Sequence, residues 1–169
     1  KLFTEGMFNQ VATIYQNEQI PIAISEIVVW TIQDSYPVPD PLTPNFEPAL
    51  QAFGAKIQNN FKGHLAHLLS RASVSGLGGR ARHGVLCATY DAQTYKGPFA
   101  YCNIANSYKE FPTYSFTVLV VAHEMGHLWL ASASVRSPAD PEVRLMTGRQ
   151  GAHWQFAFNS EASVLEGNR

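Results

Sequence analysis

Phe3, Met7, Val11 and Ile14 recur at helical spacing and predict an amphipathic helix over about residues 4–19. The period then changes. Residues 20–32 carry Ile22, Ile24, Ile27, Val28, Val29 and Ile32, a β-branched density that predicts a strand. Pro37, Pro39, Pro41, Pro44 and Pro48 follow within residues 34–48 and mark a surface connection. Leu50, Phe53, Ile57 and Phe61 return to one helical stripe, so a second helix is expected over residues 46–62. Short apolar runs at 65–69, 81–89 and 99–104 read as strands, with a Gly-rich turn at 75–79 ahead of the second. A third helix is expected over residues 115–130. From about residue 131 the pattern loses its period, and Pro138 and Pro141 exclude a long helix there. The chain shows no internal repeat, low-complexity segment or domain boundary. A single α/β domain over residues 1–169 is expected, atypical at its C-terminal end.

Composition narrows the class. A chain of 169 residues with 46% hydrophobic and 15% charged residues can bury a real core without disulfide scaffolding. Its net charge of −1, with no basic block, gives no support for a nucleic-acid or anionic-membrane partner. No stretch reaches the roughly 18 apolar residues that a membrane span needs. The chain opens at Lys1 without a signal peptide, as expected of a mature form or an excised domain. Cys87 and Cys102 read equally well as a disulfide, worth on the order of 3 kcal/mol in an oxidising compartment, or as free thiols.

The chemistry concentrates in the third helix. His123-Glu124-Met125-Gly126-His127 is an H-E-x-x-H motif preceded by the apolar run Val118-Leu119-Val120-Val121-Ala122. Helical residues four apart lie one turn above each other on one face. Both imidazoles can then point at one zinc ion, with Glu124 placed beside it to act on a water. The bland alternative is a helix with two incidental histidines. For His64, His67 and His83 the bland reading is preferred, because none has a carboxylate or cysteine at ligand spacing nearby. Tyr108 and Tyr114 read first as packing residues. The chain carries no G-x-S-x-G, no dinucleotide fingerprint and no Lys-Ser/Thr after the Gly76–Gly79 turn to form a phosphate cradle.

The flanking residues carry a resemblance. Phe8-Asn9-Gln10-Val11-Ala12-Thr13-Ile14-Tyr15 and Ile24-Ser25-Glu26-Ile27 with Trp30 resemble, in order, the opening elements of bacterial reprolysin-like (adamalysin-type) zinc metallopeptidases of the metzincin clan. So do His67-Leu68-Leu69-Ser70, Gly78-Gly79-Arg80-Ala81 with Gly84-Val85-Leu86-Cys87, and Phe111-Pro112-Thr113-Tyr114-Ser115 leading into the H-E-x-x-H motif. The similarity spans roughly residues 1–129. It implies a twisted five-stranded mixed sheet, mostly parallel with an antiparallel edge strand, flanked by helices. It also implies secretion, a Cys87–Cys102 disulfide, and a peptide or protein substrate paired along the edge strand at about residues 79–85.

The chain departs from the metzincin pattern H-E-x-x-H-x-x-G-x-x-H. Leu130 stands at the glycine position and Ala133 at the third histidine. Glycine there permits a turn with positive φ, and alanine offers no lone pair. His153, Glu161, Asp140 and Glu142 are the candidate replacements, or no protein ligand at all. Leu145-Met146-Thr147 matches the Met-turn of the clan, although Met146 is also readable as core filler. The expected function is a Zn2+-dependent endopeptidase with metal ligands His123 and His127 and catalytic base Glu124. The competing readings are a metzincin-shaped peptide-binding module that no longer cuts, and a thermolysin-like ligand set using Glu161.

Overall fold

The computed structural model describes residues 1–31, 36, 37, 39, 45–71, 78–104 and 115–129. Among these residues, three helices and three strands follow in the order α1 (Leu2–Asn17), α2 (Glu47–Ile57), β1 (Ala66–Ser70), β2 (Gly79–Ala81), β3 (Phe99–Asn103) and α3 (Ser115–Trp129). The strands form one sheet in the order β1-β3-β2, with β1 parallel and β2 antiparallel to β3. The mixed character matches expectation, with β2 as the antiparallel edge. Three strands, not five, are present among the described residues.

Strand β3 is buried along its whole length, so it is covered on both faces. Phe99 and Tyr101 face α2 and pack with Phe46, Ala49, Leu50 and Phe53, the Phe46 and Tyr101 rings stacking at 4.7 Å. Cys102 joins the opposite layer, where Met7, Val11, Ile14 and Tyr15 of α1 meet Val118, Val121 and Met125 of α3. Helix α1 therefore packs on α3, and α3 on the sheet. Tyr15 ties the two helices directly, donating from its hydroxyl to the Ala122 carbonyl (2.8 Å) and stacking on Trp129.

Helix α3 forms despite three valines, which cost helix propensity through restricted χ1. Burial decides the matter: Thr117, Val118, Val120, Val121, Met125 and Leu128 are all removed from water. A helix apolar around most of its circumference is a core helix.

Several expectations need correction. Residues 20–31 form no strand, and Val28 and Val29 are 62% and 61% exposed. β-propensity describes fit to a pleated, half-buried surface, and no ladder partner lies beside this segment among the described residues. The expected strand at 81–89 stops at Ala81, because Gly84 (φ 62°) and Cys87 (φ 58°) bend the chain out of extension. Helix α2 ends at Ile57, short of residue 62, where Gln58 takes φ 46°. The Cys87–Cys102 disulfide is not formed. Cys102 lies buried on β3 while Cys87 is exposed at a turn, and both thiols are free. Tyr36, within the proline-rich connection, is buried against Phe53.

The partner of Cys102 is instead His67 of β1, whose Nδ1 lies 3.5 Å from its Sγ. His67 is half-buried by surface area, yet its Nε2 is sealed from solvent without a hydrogen-bond partner among the described residues. This burial pushes the imidazole down to about 4. An unfolded histidine protonates near 6.5, so between those values the unfolded chain binds the extra proton. Folding stability should hold above about pH 6.5 and fall as pH drops toward 4, by up to about 3 kcal/mol from this ring. Denaturant titrations of His67→Gln across that window should show a correspondingly flatter pH dependence.

Candidate metal and catalytic site

The last two turns of α3 carry the motif residues. His123 and His127 stand on one face with ring centroids 4.4 Å apart and planes at 84°. Their Nε2 atoms approach to 2.9 Å, so one ring donates to the other. Two nitrogens bound to a tetrahedral zinc lie about 3.3 Å apart, given bonds of 2.0–2.1 Å. The pair is therefore near the separation that a shared ion requires. His127 also sits in the last turn of the helix, where the backbone dipole favours positive charge. Among the described residues, no group of three His, Cys, Asp or Glu side chains is arranged to hold a metal ion.

Glu124 turns toward β2. It is 4% exposed, and its Oε2 is buried with no hydrogen-bond partner among the described residues. Burial pushes its carboxyl up to about 8, against an opposing pull from the Arg80 guanidinium. A buried, orphaned carboxylate oxygen beside two convergent imidazoles is the kind of unsatisfied group that a bound cation explains. Behind Glu124 lies Cys102, whose thiol is raised first by burial and then by the neighbouring carboxylate.

Gly79 makes this placement possible. A Cβ there would strike the Tyr101 carbonyl oxygen and come within 2.7 Å of Glu124 Cγ. The edge strand thus lies directly on the carboxylate because it has no side chain at that point.

Residues 82–87, expected as strand, cap the motif helix α3 instead. The Gly84 N–H donates to the His127 carbonyl (3.0 Å), and the Val85 and Leu86 N–H groups both donate to Leu128 (3.0 and 2.9 Å). These bonds satisfy carbonyls that a helix end leaves without internal partners. They also bring His83 against His127, with ring centroids 4.4 Å apart. Linear spacing gives no sign of this contact, which depends on the turn at Gly84.

The edge strand is clamped from the other side. Arg80 Nε donates to Glu47 Oε2 (2.9 Å), and Arg82 donates to both Glu47 oxygens. Burial alone would raise the Glu47 carboxyl, but hydrogen bonds from Arg82, Gln51 and Arg80 hold it below its ordinary value.

The sequence-level site is thus partly assembled. His123, Glu124 and His127 come together, whereas Asp140, Glu142, Met146, His153, Glu161, Tyr108 and Tyr114 lie outside the described residues, as do Leu130 and Ala133. No described helix is long and apolar enough to cross a membrane. A family model described as metallo-peptidase family M12, of reprolysin type, matches residues 3–137. A comparison with curated proteins returns no match.

Two glycines should respond in opposite ways to alanine. Gly79→Ala should destabilise the fold by about 1–3 kcal/mol through overpacking. Gly126→Ala, whose Cβ meets only the Tyr15 hydroxyl at an ordinary 3.6 Å, should be neutral or stabilising by up to about 1 kcal/mol in a helix interior. Thermal melts of both variants check the contrast.

Proposed function

Because the chain belongs to metallo-peptidase family M12, we propose that it is a zinc-dependent endopeptidase with His123 and His127 as metal ligands and Glu124 as the catalytic base. One observation carries the reading: the two Nε2 atoms converge to 2.9 Å on the helical turn that also bears a buried carboxylate with an orphaned oxygen. Zinc, when bound, supplies Lewis acidity that polarises the scissile carbonyl and makes water a usable nucleophile near neutral pH.

The chain's own residues supply the rest. Burial favours protonated Glu124 at neutral pH against the pull of Arg80, and a cation held by the histidine pair would favour the ionised base. Glu124 takes the proton from the attacking water and returns it to the amine as the C–N bond breaks. Strand β2 bonds to β3 on one side only among the described residues, so its outer edge is suited to pairing with an extended peptide. Main-chain pairing there sets the scissile bond beside Glu124, since Gly79 of β2 lies against that side chain.

Glu124→Gln tests the base. It should keep zinc and fold, yet lose roughly 10²–10⁴-fold in kcat toward an unstructured peptide. A Glu124→Gln enzyme with unchanged kcat would rule this mechanism out.

A further inference from the structure

We propose that His83 is the third imidazole ligand of the metal site, an assignment that rests on the zinc reading above. A catalytic zinc takes three protein ligands and leaves one position open. Helix α3 offers two, and Ala133 stands at the position where the family pattern places its third histidine.

The geometry points to His83 in two ways. Its ring lies 4.4 Å from that of His127, the same separation as between His123 and His127. Imidazoles sharing one zinc set their ring centres about 5 Å apart, from bonds of 2.0–2.1 Å and tetrahedral angles. The His83 and His123 rings each stand 4.4 Å from that of His127, which lies between them.

The second support is the tether. Gly84 and Val85, immediately after His83, donate to the carbonyls of His127 and Leu128. The backbone of residue 83 is consequently fixed beside the last turn of α3, and Gly84 at φ 62° supplies the turn that brings it there. His83 is exposed, and the three rings do not yet converge as ligands, so the assignment requires a rotation of the His83 side chain within a fixed backbone. Its ligand nitrogen would come from the segment that follows the edge strand, binding the metal and the peptide-pairing lip into one unit.

The full 169-residue chain tests this through metal binding alone. In chelator competition, His83→Ala should weaken zinc by more than the roughly 10–100-fold that loss of a supporting partner costs. His64→Ala, also exposed, should leave affinity unchanged. Metal-free His83→Ala should melt like the unaltered chain, which separates ligand loss from misfolding. His83→Cys loaded with Co2+ should develop a near-ultraviolet thiolate-to-cobalt band that the unaltered chain lacks. Absence of that band, or unchanged zinc affinity in His83→Ala, overturns the assignment. If zinc is then still lost in His123→Ala, only the role of His83 falls. Failure of the unaltered chain to hold zinc would remove the zinc reading itself.

Discussion

The burial of α3 against β3 is the contact on which the rest of this structure depends. It places Val118, Val121 and Met125 in one apolar layer with α1, and Leu128 in a second cluster with Val85 and Ala100. A helix held on so many sides cannot rotate about its axis without exposing large apolar side chains. Fully burying one such side chain is worth about 1.5–3 kcal/mol. The directions of His123, Glu124 and His127 are therefore set by residues with no chemical role. The polar end of the helix is fixed as firmly, since the turn after β2 takes up its last carbonyls.

That arrangement explains how a carboxylate can be kept in an apolar setting. Glu124 is covered by Gly79 and backed by Cys102, and neither offers its Oε2 a hydrogen bond. Burying a charge without a partner is costly, and the carboxyl responds by holding its proton. The site is thus strained electrostatically in the direction that favours binding of positive charge. Sites of catalysis are where such departures concentrate.

The helices were legible in sequence because their apolar spacing survives in the core. Met7, Val11 and Ile14 of the first stripe are all buried, as are Leu50 and Phe53 of the second. The motif helix was legible for the same reason, since its apolar run is long and continuous despite the valines. Residues 20–31 were misread, since β-branched composition says nothing about whether a neighbouring strand exists. Residues 82–87 were misread because their N–H groups serve a helix end, a tertiary fact with no local periodicity. His83 is illegible in sequence for the same cause: it lies 44 positions before His127 in the chain and meets it through that turn. The disulfide expectation failed on direction, as Cys102 points into the layer beneath α3 whereas Cys87 faces water.

Glu47 has a consequence for how the molecule meets charged molecules at a distance. One carboxylate is shared between two guanidiniums, so it can cancel only one of them. Among these three side chains one positive unit is left over, carried mainly by Arg80, whose side chain is 55% exposed. In a chain whose formal total is −1, this local excess opposes the global sign. Its reach is about 8 Å at physiological ionic strength, and it shrinks to about 3 Å in molar salt. An anionic group drifting past Arg80 therefore feels a short-range attraction that ordinary electrolyte is enough to erase.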